Sequence, residues 1–170
     1  TDALWRDMQA GKITEREYWG IRAHETGKLV GKEWDTLPPF LTATRGNDPQ
    51  SIIRPEALAA ISTAKQQGHA LAILSNELDL FYGKEFRTRL PFLAEFDLIV
   101  DATYTGILKP DPRAFAFITD GLKTPAATCV FVDDQAKNIR GGEAAGMKTV
   151  HFDVTQPSES YRRALALLAA

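Results

Sequence analysis

Four short apolar runs, at residues 70–74, 96–100, 129–132 and 149–152, constrain this chain more than any other feature, because a stretch of helical periodicity separates each from the next. Runs of this length bounded by turn formers read as strands buried on both faces. Strands that alternate with helices require a mostly parallel sheet, since each parallel connection must cross over through a helix-length segment. The expected helices follow. One starts with Pro55, aligns Leu58, Ile61 and Ala64, and stops at Gly68; a second spans 78–90; a third runs 112–122 with Phe115, Ile118 and Leu122 on one face. A fourth covers 135–145, and a last one begins near Ser158 and aligns Tyr161, Leu165 and Leu168. Right-handed crossovers put these helices on both faces of the sheet, so the fold class is α/β.

The first 45 residues have a different rhythm. Thr14-Glu15-Arg16-Glu17 is a capping box, with Ile13 and Tyr18 placed as a hydrophobic staple. The helix it starts is expected to run to about Gly27, and a further helical stretch through Leu29, Val30 and Trp34 to stop near Pro38-Pro39. With the amphipathic segment Ala3-Leu4-Trp5-Arg6-Asp7-Met8, residues 1–45 form a small helical unit. The turn-rich segment Arg45-Gly46-Asn47-Asp48-Pro49 marks the boundary to the α/β part, residues 46–170.

Composition narrows the function. At 170 residues, 44% hydrophobic and 25% charged, the chain has enough apolar side chains for a core, and disorder is excluded. A net charge of -2 with no basic run argues against a nucleic-acid partner. The apolar runs are far short of the roughly 20 residues that cross a bilayer. A single cysteine, Cys129, cannot form an intramolecular disulfide, and no leader-like pattern opens the chain; a cytoplasmic setting is expected.

Ligands of an open parallel sheet bind at the carboxyl ends of its strands. There the first predicted strand ends in Ser75-Asn76 and the third in Asp133-Asp134, while Lys109 lies just before a helix in the intervening segment. Each has a plainer reading: Ser75-Asn76 caps the following helix, Lys109 is a solvated loop charge, and Asp134 caps the helix starting near Gln135. Adjacent aspartates are harder to dismiss, because two like charges are costly unless a cation or a lysine offsets them.

In combination these residues resemble the haloacid dehalogenase superfamily of hydrolases over residues 51–153. Leu71-Ala72-Ile73-Leu74-Ser75-Asn76 resembles the family's second motif, Gly106-Ile107-Leu108-Lys109-Pro110-Asp111-Pro112-Arg113-Ala114-Phe115 its third, and Val130-Phe131-Val132-Asp133-Asp134, followed by Asn138 and Gly146, its fourth. The resemblance implies a Rossmann-like core with a small helical cap, residues 1–45, that closes over the site and selects the substrate. It implies that Ser75 and Asn76 hold a phosphoryl group, that Lys109 offsets charge on it, and that Asp133 and Asp134 hold Mg²⁺ directly or through water. Trp19 and Trp34 are expected to pack the cap's own core and His24 to lie on a helix surface, whereas Arg22 is a candidate for a second anionic group on the substrate.

The family's first motif, an apolar strand ending Asp-x-Asp that carries the nucleophile, is absent; Asp2 and Asp7 follow no apolar run. Because that strand belongs at the centre of the family's sheet, two strand edges are expected to face a gap. The chain opens at Thr1 without methionine, and the expectation is that an N-terminal stretch precedes it. Without that stretch, the chain is expected to fold poorly or to fill the gap by self-association or with a complementing segment. The leading reading is a Mg²⁺-dependent phosphatase of a small phosphorylated metabolite whose nucleophile lies outside these residues. The alternatives are a metal-free 2-haloacid dehalogenase, which the carboxylate pair opposes, and a non-catalytic remnant kept for binding.

Overall fold

The computed structural model describes residues 2–46, 48–83 and 85–169; Asn47 of the predicted boundary turn lies outside them. The chain begins with three helices: α1 (Ala3–Gln9), α2 (Glu15–Val30) and α3 (Leu37–Arg45). The capping box of α2 forms as expected: Thr14 Oγ1 accepts from the Glu17 amide at 3.1 Å, and the Thr14 amide donates to Glu17 Oε2 at 2.7 Å. The far end of α2 differs from expectation. The helix passes through Gly27 and stops at Gly31, which takes a left-handed conformation with φ 65°. Gly27 serves close approach instead, since a Cβ there would sit 2.5 Å from the Lys32 carbonyl oxygen. Pro38 and Pro39 open α3 rather than ending a helix, because the first turn of a helix has no use for their missing amides.

Ala23, Leu37, Phe40 and Leu41 form the core of this helical region, and Trp19 and Trp34 pack against it as expected. Phe81 and Tyr82, from beyond residue 75, complete it.

The α/β part continues with α4 (Pro55–Gln66), β1 (Ala72–Ser75), α5 (Leu78–Tyr82) and α6 (Glu85–Thr88). It goes on with β2 (Leu98–Asp101), α7 (Ala102–Thr105), α8 (Pro112–Leu122), β3 (Val130–Asp133), α9 (Ala136–Ala144), β4 (Lys148–His151) and α10 (Pro157–Leu168). The single helix expected over 78–90 is broken at Gly83, where φ is 77°. The first three strands start one or two residues late, so that Ser75, Asp101 and Asp133 are their last residues.

β1 pairs parallel with β2, Ser75 opposite Asp101, and β3 pairs parallel with β4, Asp133 opposite His151. Among the described residues no strand joins the two pairs, and a cavity of about 890 Å³ lies between them. Ile73 and Leu74 of β1, Val130 and Val132 of β3, Ile61 and Ala64 of α4, and Leu165 and Leu168 of α10 line it. Helices hold the pairs together. α4 packs on α10, which lies on β3 and β4, while α8 lies on β1 and β2 and sends Phe115 edge-on to Phe131 of β3 with ring centres 5.3 Å apart.

Candidate active site

Ser75, Asn76, Lys109, Asp133 and Asp134 come together around a pocket of about 190 Å³ at the carboxyl ends of β1 and β3. Asn76 Oδ1 accepts from the Lys109 amide at 2.7 Å, and Asn76 Nδ2 donates to the Lys109 carbonyl at 3.2 Å. Its side-chain oxygen and one of its two Nδ2 hydrogens therefore set the Lys109 main chain. Lys109 Nζ reaches Asp133 Oδ2 at 2.7 Å, both side chains being about nine-tenths buried, and stands 5.5 Å from the centre of the Phe131 ring. The plain reading of Lys109 as a solvated charge is thus overturned.

Both oxygens of Asp133 are in use, since its Oδ1 accepts from the Gln135 amide at 2.8 Å and from Asn138 Nδ2 at 3.0 Å. It is Asp133, not Asp134, that turns the chain into α9. Asp134 is exposed, and its carbonyl contacts His151 Nε2 at 3.0 Å. Ser75 Oγ faces the Glu77 amide at 3.4 Å, a long contact that leaves the helix start to another group.

That group is Asp101, which no sequence signal singled out. Its carboxylate accepts from the Leu78 amide at 3.2 Å, the Asp79 amide at 2.8 Å and Arg87 Nη2 at 3.0 Å, so β2 caps α5 across the sheet. Arg87 Nε also meets Asp79 Oδ1 at 2.8 Å, and Tyr104 Oη donates to Asp79 Oδ2 at 2.6 Å. Burial raises the Asp101 carboxyl, but the Thr103 and Asp79 amides with Arg87 outweigh it and hold it below its ordinary value. The contact is 22 residues long in sequence, and only the acidic end of the run Leu98-Ile99-Val100-Asp101 hints at it.

Glu77, Gln135 and Asn138 also border the pocket; nothing in the sequence marks Glu77 or Gln135 as site groups, and Asn138 stands out only as part of the fourth-motif resemblance. Glu77 is 5% exposed and lies 3.4 Å from Arg16 Nε of α2, and Gln135 Nε2 donates to Glu15 Oε2 at 3.3 Å. Burial, foremost, together with Glu15 and Asp101 pushes the Glu77 carboxyl up against the pull of Arg16. Arg22 lies elsewhere: it pairs with Asp2 and Glu25 and covers the Tyr18 ring at 5.3 Å. Its expected part in substrate binding is thereby corrected. His24 is exposed, as expected.

A hard dication wants oxygen ligands, and Mg²⁺ commonly takes one or two carboxylates and completes its shell with water and phosphate. Among the described residues no three His, Cys, Asp or Glu side chains converge. Asp134 nevertheless borders the pocket, and Asn138 Oδ1 is buried without a hydrogen-bond partner among the described residues. That donor set fits Mg²⁺, with Asp134 exposed beside Asp133, whose Oδ2 already carries the Lys109 ammonium.

Residues 14–146 match the model of the family described as haloacid dehalogenase-like hydrolase. Over 167 residues, 96% of this chain, the sequence is 31% identical to acyl-CoA dehydrogenase family member 10 of Mus musculus, of which it spans 15%. It is 28% identical over 99 residues to a phosphatase of Mycobacterium tuberculosis and 35% identical over 102 to phosphoserine phosphatase of Thermus thermophilus. Those matches cover 58% of this chain in each case, and 46% and 40% of the two relatives. The chain therefore spans less than half the length of each of these three. In fold it resembles a putative HAD-hydrolase of Bacillus subtilis bound to magnesium, with a TM-score of 0.70 at 23% identity over 99% of this chain and 78% of that one.

Proposed function

Because the chain belongs to the haloacid dehalogenase-like hydrolases, we propose that it is the binding body of a Mg²⁺-dependent phosphatase acting on a small phosphorylated metabolite. The observation that carries this reading is the convergence of Ser75, Lys109 and Asp134 on one pocket at the strand ends. The bacterial phosphatase relatives support it. Ser75 Oγ donates to a phosphoryl oxygen, and Lys109, set by Asn76, offsets the charge of the transferring group, the kind of stabilisation that dominates phosphoryl transfer. Mg²⁺ held by Asp134 would draw negative charge from the phosphoryl oxygens. The helical residues 1–45 act as the cap.

The covalent step of such an enzyme is attack by an aspartate oxygen on phosphorus, with the alcohol leaving and water then splitting the acyl phosphate. No Asp-x-Asp occurs in the 170 residues, so the chain by itself binds without turnover. The nucleophile comes from a complementing apolar strand seated between β1 and β3, where the cavity reaches Asp133 and Asp134.

Calorimetric titration with inorganic phosphate tests this. Saturable binding is expected, weakened about tenfold or more by EDTA and by Lys109→Met. Binding indifferent to EDTA removes the metal from the reading, and no binding overturns it.

A further inference from the structure

Three acceptor oxygens on the pocket are buried with no hydrogen-bond partner among the described residues: Glu77 Oε2, Gln135 Oε1 and Asn138 Oδ1. The orientation of both amides is set, because each donates its nitrogen to a carboxylate, Gln135 to Glu15 and Asn138 to Asp133. A buried acceptor without a donor is costly, roughly 1–3 kcal/mol in general. A phosphate dianion cannot supply the missing donors, since it brings only acceptors. Asn138 donates to Asp133 and so belongs to the aspartate side of the pocket. Glu77 and Gln135 are bonded instead to α2, through Arg16 and Glu15, and so mark the part of the pocket next to the helical region.

Charge points the same way. Facing Glu77 are Arg16 and Glu15 from α2 and Asp101 from β2, and Arg87 is already taken by Asp79 and Asp101. Arg16 meets only Oε1, at 3.4 Å, and is itself 59% exposed, so it has room to turn into solvent, but the buried carboxylate it would leave then needs another cation. Acidic groups outnumber the basic ones around an acceptor that still lacks a donor.

We propose that Glu77 is a specificity residue that receives an ammonium group on the non-phosphate end of the substrate, with Gln135 Oε1 as second acceptor, so that the substrate class is a phosphorylated amine. This rests on the phosphatase reading of the same pocket and narrows it. An ammonium brings three donors and one positive charge, and so meets both orphan oxygens and the local excess of carboxylate.

The test is calorimetric titration of the chain, in Mg²⁺, with O-phosphoethanolamine, 2-hydroxyethyl phosphate, 2-phosphoglycolate and inorganic phosphate. The ammonium ester is expected to bind about tenfold tighter than the hydroxyl ester, and the carboxylate ester weaker than both, as like charge is rejected. In Glu77→Gln the ratio between ammonium and hydroxyl esters is expected to fall below about threefold, and in Arg16→Gln, which leaves the carboxylate without its competitor, to rise. Each result is a ratio, so a general weakening cancels, and the wild-type and Arg16→Gln comparisons stand if Glu77→Gln does not fold. Equal binding of the three esters, or a preference that survives Glu77→Gln, overturns the ammonium site while leaving the phosphate site intact. Failure of all four compounds to bind overturns the phosphate reading and this one with it.

Discussion

Lys109 and Asp133 carry the strongest single-residue consequence. Their ion pair is almost sealed from water, and removing one partner of such a pair strands the other charge, typically at 3–5 kcal/mol. Lys109→Met is expected to lower stability by about 3 kcal/mol, and the double variant with Asp133→Asn to recover more than half, both read by urea denaturation. A loss under about 1 kcal/mol would show that Asp133 finds other compensation. A pH effect belongs to Asp111, the cap of α8, which the Arg113 guanidinium and then the Arg113 amide hold at about 2. Its folded value lies below the ordinary 3.8, so the stability it lends is complete above 3.8 and is lost as pH falls from there through about 2. The gap in urea midpoint between wild type and Asp111→Asn should accordingly shrink to nothing across that window. At this scale the sequence was legible where a residue type has one common use: Lys109 before a proline, paired aspartates after an apolar run. Asp101, Glu77 and the true partner of Asn76 were not legible, because Arg87, Arg16 and Lys109, which they meet, lie 14 to 61 positions away in the chain.

Helices show which local signals decide an element and which do not. α8 runs Pro112–Leu122 as read, since a proline at its first position and a regular apolar stripe agree, and the capping box starts α2 where expected. The segment 78–90 kept the right periodicity and still broke, because a stripe of apolar residues does not register a left-handed glycine such as Gly83. Pro38-Pro39 was misread because a proline pair has opposite meanings at the two ends of a helix. Two glycines of α2 separate propensity from packing. Gly20 has open space where a Cβ would stand, so Gly20→Ala is expected to stabilise by about 0.5–1 kcal/mol through helix propensity. Gly27→Ala gains the same propensity but drives its Cβ into the Lys32 carbonyl, and a net loss of about 1 kcal/mol or more is expected. Thermal melts of the two variants should therefore move in opposite directions.

On the scale of the whole molecule, the faces of α4 and α10 that the sequence marks as core border the cavity between the strand pairs instead of a closed interior. Ile61, Ala64, Leu165 and Leu168 all fit the apolar stripe, yet Leu58 on the same stripe is 41% exposed. Periodicity reports which side of a helix avoids water and says nothing about what lies opposite. A cavity of about 890 Å³ with apolar walls should admit an apolar dye, so the chain is expected to enhance 8-anilinonaphthalene-1-sulfonate fluorescence while keeping its near-ultraviolet circular dichroism. Enhancement without that dichroism would mean loose packing, and no enhancement would mean a closed core. Lys109 spans the same divide: its main chain is clasped by Asn76, next to β1, and its ammonium by Asp133 at the end of β3. It is a cross-tie as well as a ligand. An anion that claims the ammonium loosens the tie, and whatever steadies the two halves from within the cavity favours the arrangement in which the tie is made. Occupancy of the one space and affinity at the other are thus reciprocal quantities, each lowering its counterpart by the same factor.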